Sequence, residues 1–459
     1  MMSAPELIGL MMFPAVIGIL LLGYPVAFTL SGVAIAFAGL GWLFDLIDLG
    51  LLNSVPSRIF GIMTNLVFVA IPLFVFMGVV LERSRIAENL LLSLGALFGR
   101  VRGGLGVSVI FVGALLAAST GVVGATVVTM GLLSLPAMLR AGYDSRLACG
   151  VICSSGTLGQ IIPPSTVLIL LADILQGANA QAQRALGNFA PEPVSVVELF
   201  AGAFFPGLML MGLYISWVLL MALFRGHKCP ALEAVPGDAP LGAQVIKSLI
   251  APLLLIGAVL GSIVLGLATA TEAAAIGAIG SVLLAGVQRK LSLEVLKSAM
   301  YSTLIISSMI FLILIGASLF SLVFRMFEGD LLVENFLHNM PGGMVSAMLF
   351  VMLVIFVLGF VLDFIEIMFL VLPIVAPIML MFDISPIWFG VMIAVNLQTS
   401  FLTPPFGFSL FYLRSVAPPE VRTIDIYRGI IPFVLMQLVG LSLLWTFPAL
   451  ATWLPHVLF

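Results

Sequence analysis

Apolar runs of bilayer-spanning length follow one another from Leu7 almost to the C-terminus, and a hydrocarbon core takes about 20 such residues per helix. Few folds survive that constraint. The chain is 62% hydrophobic and only 8% charged, where a soluble domain carries about 25% charged residues. The class expected is an all-α polytopic membrane protein with no soluble domain of any size, so membrane lipid is its first partner. A net charge of −3 without a basic patch gives no footing to nucleic acid. The first run has no basic n-region and no A-x-A-like cleavage site, and reads as a spanning helix rather than a secretory signal.

The basic residues orient the spans. Most lie at Arg83/Arg85/Arg100/Arg102, Arg140/Arg146, Arg225/Lys228/Lys247, Arg289/Lys290/Lys297 and Arg414/Arg422/Arg428, and the positive-inside rule puts these loops in the cytoplasm. The polar loop 173–198 and the acidic stretch 328–340 then lie outside. Helices near 146–172, 199–224, 248–267, 272–288 and 303–326 cross between these sides in alternation, and counting puts both termini outside. Two stretches, 105–140 and 342–382, begin and end on one side. Each is too long for one helix and short for two spans, so each is expected to be a re-entrant helical hairpin, one entering from the cytoplasm and one from outside.

The stretch GTLGQIIPPST (156–166) places two glycines and a proline pair inside an apolar run. Its Pro163-Pro164 has a partner in Pro404-Pro405, 241 positions on, and Pro136 in SLPAML has one in Pro377 of VAPIML at the same spacing. Each half thus carries a hairpin, a proline near its end and a helix broken at Pro-Pro, and the opposite entry of the hairpins makes the repeat one of inverted topology. Breaking a helix in lipid is costly unless the break is buried in protein or lines a wet cavity. Paired broken helices in inverted repeats point to the binding site of a secondary transporter. Proline frees the carbonyl about one turn earlier; such carbonyls can ligate Na+, and half-helix N-termini can hold a carboxylate.

The ordered phrases IPLFVFMG (71–78), GGLGVSV (103–109), AASTGVVGATVVTMG (117–131), LPAMLRAGYD (135–144), GTLGQIIPPS (156–165), LFAGAFFPGLML (199–210), TEAAAIGA (271–278), GFVLDF (359–364) and LTPPFG (402–407) resemble the large membrane subunit of tripartite ATP-independent periplasmic (TRAP) transporters. The resemblance covers nearly the whole chain. It implies Na+-driven import of small organic acids across the bacterial inner membrane. A periplasmic substrate-binding protein (P-type) would deliver the solute, and a small four-helix membrane subunit (Q-type) would pack against this chain. It also implies an elevator-type fold with scaffold helices in 1–104 and 173–341 and a C-terminal helix in 414–459. The transport repeats would be 105–172 (hairpin 105–140, broken helix 146–172) and 342–413 (hairpin 342–382, broken helix 386–413). Where many relatives have a Ser-Gly-Ser-like hairpin tip, this chain has Ser119-Thr120-Gly121. It has Ser400-Phe401 where many have a glycine.

The expected Na+ ligands are Ser119, Thr120 and Gly121 at the first tip, Ser155, Gly156 and Gly159 at the first break, Asp363 in the second hairpin, and Thr399, Ser400 and Thr403 at the second break. Substrate contacts are expected from Thr157, Gln160, Pro163, Gln398 and Pro404. Blander readings stand beside these. Ser, Thr and Gly are ordinary turn residues, small residues pack helices closely, and Asp363 or its neighbour Glu366 could serve as a structural hydrogen-bonding group. Thr271 is expected to cap a helix with Glu272 complementing its dipole. Arg325 is expected to be an interface anchor, and Cys149 and Cys153 small packing residues.

No H-E-x-x-H, G-x-S-x-G or phosphate-binding loop is present, so neither hydrolase chemistry nor ATP hydrolysis is expected. Tyr143-Asp144 lacks the Gly-x-Gly-Asp partner of an intramembrane aspartyl protease. The reading next to the TRAP subunit is a self-sufficient sodium- or proton-coupled carboxylate transporter of a related inverted-repeat fold.

Overall fold

The computed structural model describes residues 4–84, 86–99, 101–120, 123–232 and 241–459. All regular elements among them are helices, and seven are long and apolar enough to cross a membrane. On the helix Val26–Leu43, Leu30, Val33, Ala34 and Ala38 face inward while Phe28, Ile35 and Trp42 are exposed. A helix apolar all round belongs in a core or a bilayer, and here the outer face is exposed.

The chain forms two compact units, each assembled from three separate segments. The first comprises 1–68, 170–195 and 305–386. Its core is aromatic: Phe13 meets Phe320 and Phe324 edge-on at centroid distances of 5.4 and 5.3 Å, a favourable T-shaped geometry. Gly9 lets its helix close on this core, because a Cβ there would stand 2.9 Å from Phe327 Cβ.

The stretch 342–382 is one longer helix, Gly343–Leu358, followed by two short ones, Phe364–Leu370 and Leu372–Leu380. Asp363 begins the first short helix. Its Oδ1 accepts from Phe364 N at 2.7 Å, and its own N–H donates to Glu366 Oε2 at 3.0 Å, a reciprocal capping box. Pro377, inside the second short helix, has no N–H for the carbonyl of Pro373. Arg325 Nη2 donates to that carbonyl at 3.2 Å. Arg325, in the last turn of Leu293–Met326, thus has a partner within the protein.

A correction concerns the loop expected from Asp173. The helix Thr166–Ala185 carries the chain through most of it. Alanine and glutamine are good helix formers, and Ala178 and Ala182 are buried. The helix stops where Gly187 takes φ +86° and Asn188 N donates to Gln183 O at 2.8 Å, a left-handed C-terminal stop. The rest of the connection is tied back by Asn179 Nδ2, which donates to Glu192 O at 3.0 Å.

The second unit comprises 69–169, 196–304 and 387–459. A close crossing joins Ser145–Thr157 to Thr423–Thr446: a Cβ on Gly150 would strike the Gly429 carbonyl, so only glycine allows this approach. Arg146 Nε pairs with Asp425 Oδ1 at 3.1 Å across the same crossing. Asp144 caps Ser145–Thr157, accepting from Arg146 N at 2.9 Å, and pairs with Lys228 Nζ at 3.0 Å. Burial pushes the Asp144 carboxyl up, but the Lys228 contact and the backbone N–H groups outweigh it and hold its pKa below the ordinary value. The helix Ala270–Val287 is capped by Thr269, two residues before the Thr271 expected. Thr269 Oγ1 accepts from Glu272 N at 3.3 Å and Glu272 Oε2 accepts from Thr269 N at 2.8 Å. The reciprocal box needs the Thr three residues before the Glu, which Thr269 satisfies and Thr271 does not.

Candidate functional site

Both Pro-Pro pairs break their helices. Ser145–Thr157 passes through a short 3-10 turn, Leu158–Gln160, and regular helix resumes at Thr166. Pro386–Leu402 ends just before Thr403, and helix resumes at Phe408. Both pairs have a cis bond, Pro163-Pro164 and Pro404-Pro405. The second proline of each pair cannot donate to the carbonyl four residues earlier, which is that of Gln160 in one repeat and Phe401 in the other. A serine hydroxyl replaces the lost donor in each case: Ser165 Oγ donates to Gln160 O and Ser409 Oγ to Phe401 O, both at 3.0 Å.

The breaks meet. Gln398 Nε2 donates to Thr157 Oγ1 at 3.1 Å, and these residues are 241 positions apart, the repeat spacing itself. Residues at the same repeat position touch only close to the operation that relates the repeats, so the bond marks the middle of the paired breaks. Both side chains are fully buried, as is Gln160. Oε1 and Nε2 of Gln160 and Oε1 of Gln398 have no hydrogen-bond partner. An amide buried that way costs about 1–3 kcal/mol per unpaired group.

The hydroxyls around these amides share one arrangement. Ser155 donates to Ile152 O, Thr157 to Ser154 O, Thr399 to Val395 O, Ser400 to Leu397 O and Thr403 to Thr399 O, at 2.8–3.1 Å. A hydroxyl has one proton and two lone pairs. With the proton committed to its own helix, each oxygen is left as an acceptor, and such oxygens suit a hard cation. Gly156 and Gly159 set how closely the helix Gly104–Thr120 and its successor Val123–Arg140 approach. A Cβ on Gly156 would meet Val127 Cγ2, and one on Gly159 would meet the Ala117 carbonyl.

The fifteen predicted residues therefore divide. Ser155, Gly156, Thr157, Gly159, Gln160, Pro163, Gln398, Thr399, Ser400, Thr403 and Pro404 lie at the two breaks of the second unit. Asp363 belongs to the first unit and caps a helix there. Ser119 and Thr120 close the helix Gly104–Thr120, their side chains lying outside the description, and Gly121 lies outside the described residues. Cys149 and Cys153 are free and buried, with Cys153 Sγ 3.7 Å from Ser409 O. Sequence reasoning overlooked Arg58 and Asn65, which line a cavity of the first unit with Arg325; no local motif marks them.

Comparison with known proteins places this architecture. The family model described as "Tripartite ATP-independent periplasmic transporter, DctM component" matches residues 13–450. The C4-dicarboxylate TRAP transporter large permease protein DctM of Pseudomonas aeruginosa is 28% identical over 88% of this chain and 90% of its own. The sialic acid TRAP transporter permease protein SiaT of Haemophilus influenzae is 24% identical over 90% of this chain and 64% of its own. Among solved structures, the Alcanivorax borkumensis YdaH transporter superposes with a TM-score of 0.62 at 17% identity, covering 92% of this chain and 90% of that one, a likeness of fold. With a family model spanning almost its full length, apolar helices to cross the bilayer many times and two helices broken at matched prolines, this chain belongs to the DctM component family of TRAP transporters, and is a multi-pass inner-membrane permease rather than an enzyme.

Proposed function

We propose that this chain is the permease subunit of a sodium-coupled, binding-protein-dependent importer of small organic acids, and that solute and Na+ bind at the paired helix breaks. The observation that carries the reading is the fully buried, unpartnered amide of Gln160 beside the half-satisfied amide of Gln398. Their oxygens, with the hydroxyl oxygens of Ser155, Thr399, Ser400 and Thr403, form a neutral donor set suited to Na+, and Gln160 Nε2 is a donor for a carboxylate oxygen. Thr157 and the backbone at Pro163 and Pro404 complete the wall. Ser119, Thr120 and Gly121 at the first tip and Asp363 in the second hairpin are proposed to join the Na+ ligands.

Movement is proposed to be of the elevator type. The repeats 105–172 and 342–413 carry the site against scaffold helices in 1–104 and 173–341, with the hairpins 105–140 and 342–382 re-entrant. Relatives named for C4-dicarboxylates and for sialic acid support an acid as solute. The family's tripartite name supports a periplasmic binding protein and a small membrane subunit as partners.

The test is thermal melting of the purified chain in NaCl, KCl and choline chloride at matched ionic strength. A ligand bound only to the folded state raises stability with its concentration. A saturable, Na+-specific rise that is absent in Gln160→Met supports the reading. Equal melting in the three salts, together with uptake into vesicles that ignores the Na+ gradient, sinks it. Uptake that proceeds equally without any binding protein would favour the self-sufficient transporter.

A further inference from the structure

The first unit holds a cavity of about 430 Å³ that the paired breaks do not use. Its wall brings together Arg58, Asn65, Asp173, Gln181 and Arg325. Pockets that take small molecules begin at about this size, with a few polar groups on an apolar lining; Phe68 and Phe369 supply apolar wall.

The charges in that wall do not cancel. Asp173 Oδ1 accepts from Asn65 Nδ2 at 2.7 Å, and neither arginine forms an ion pair with a carboxylate among the described residues. Arg325 has a structural duty, donating through Nη2 to Pro373 O at 3.2 Å and to Gln181 Oε1 at 3.4 Å. That duty occupies one nitrogen, and its Nε is buried without a partner. The Arg58 guanidinium is held below the ordinary arginine value, by burial first and by the like charge of Arg325 second. Two guanidinium groups that feel each other in one half-buried pocket, with one tethered carboxylate beside them, leave a net positive wall. The guanidinium fork matches a carboxylate in shape and charge.

We infer that this cavity is a binding site for a small carboxylate anion, held by Arg58 and Arg325 and separate from the helix breaks. A neutral amide site accepts a carboxylate weakly from water, whereas a basic cavity gathers it at longer range. Binding of the anion in this cavity does not rest on the function proposed above.

The experiment uses phenylglyoxal, which modifies accessible arginines, on the full chain in neutral detergent, with labelling of each arginine followed by peptide mass spectrometry. Succinate is the probe, succinamide its uncharged control, and the exposed Arg289 the internal reference. Labelling follows the free fraction, so succinate at about four times its half-saturating concentration is expected to slow labelling of Arg58 and Arg325 about fivefold, with Arg289 unchanged and succinamide without effect. Arg58→Gln removes no hydrogen bond among the described residues and is expected to abolish succinate protection of Arg325; Arg325→Gln would also orphan the Pro373 carbonyl and is the less clean variant. Succinate protection that persists in choline chloride and in Gln160→Met keeps this site even if the Na+ reading fails. No protection, or equal protection by succinamide, overturns it. Protection by phosphatidylglycerol vesicles but not phosphatidylcholine vesicles, with none from succinate, overturns it in favour of a lipid headgroup.

Discussion

At equivalent positions of the repeat, the first break carries Gly159 and Gln160 and the second Ser400 and Phe401. Everything around them differs accordingly. Ile161, Pro163, Pro164 and Ser165 are buried, whereas Pro405 is exposed and Phe406 is 53% exposed. Gly159 sits against the Ala117 carbonyl with no room for a side chain, while Ser400 has room for one and bonds its own helix. The same proline geometry thus yields one covered break with an unpaired amide and one open break with an aromatic ring. Repeat symmetry supplies two freed carbonyls, which serines at different repeat positions, Ser165 and Ser409, cap; the departures from symmetry supply the polar group that a solute could recognise.

The sharpest way to break this comparison is to make the first break resemble the second. Gln160→Met removes the unpaired amide at nearly constant volume. Na+-dependent uptake is expected to fall about 10- to 100-fold, since a buried hydrogen bond to a charged group contributes about 1.5–3 kcal/mol. The melting temperature should hold or rise, because an unsatisfied group is removed. A clear drop in melting temperature with uptake intact would mean that Gln160 is structural.

Next comes Gly159→Ala against Ser400→Ala, at one repeat position. The first forces a methyl into the Ala117 carbonyl and is expected to destabilise by about 1–3 kcal/mol. The second removes one intrahelical hydroxyl bond and should cost about 1 kcal/mol or less. Equal losses of melting temperature would remove the asymmetry from the account.

Thr157→Val, Gln398→Met and the double variant measure the bond that joins the breaks. Directly bonded residues couple by about 0.5–3 kcal/mol in such a cycle; additive effects would show that the bond contributes nothing.

The smallest effect concerns how the two helices start. Asp144 caps the first, and Ser385-Pro386 stands at the same repeat position of the second. The Asp144 pKa is lowered on folding from its ordinary 3.8. Its contribution is therefore complete above that value and lost as pH falls through the lower folded one. Hydrogen exchange at Arg146 and Leu147 should accelerate in that acid window, while the start of Pro386–Leu402 stays unchanged. Lys228→Ala should move the window upward, and acceleration at neutral pH in the unaltered protein would contradict the cap.

Much of this was legible in the residues because it is local. Spanning length, helix content and breakage at Pro-Pro follow from hydropathy and a missing N–H, and a spacing of 241 can be read from Pro136, Pro163, Pro377 and Pro404 without coordinates. The errors were also local. Ala-Asn-Ala-Gln-Ala-Gln reads as polar, yet a stripe of buried alanines keeps it helical to Ala185. Thr271 adjoins Glu272 in the sequence, but the reciprocal box needs three residues of separation, which Thr269 has.

Taken alone, the sequence determined the membrane class, the repeat and the two places where helix must fail, since each depends on properties carried by neighbouring residues. Tertiary structure decided that Thr157 bonds its own repeat mate, that Gln160 is left unpaired, and that Arg325 completes a carbonyl emptied by Pro377 while lining a cavity with Arg58. Whether a buried polar atom finds a partner depends on atoms brought from tens or hundreds of residues away, and no pattern within one segment encodes that.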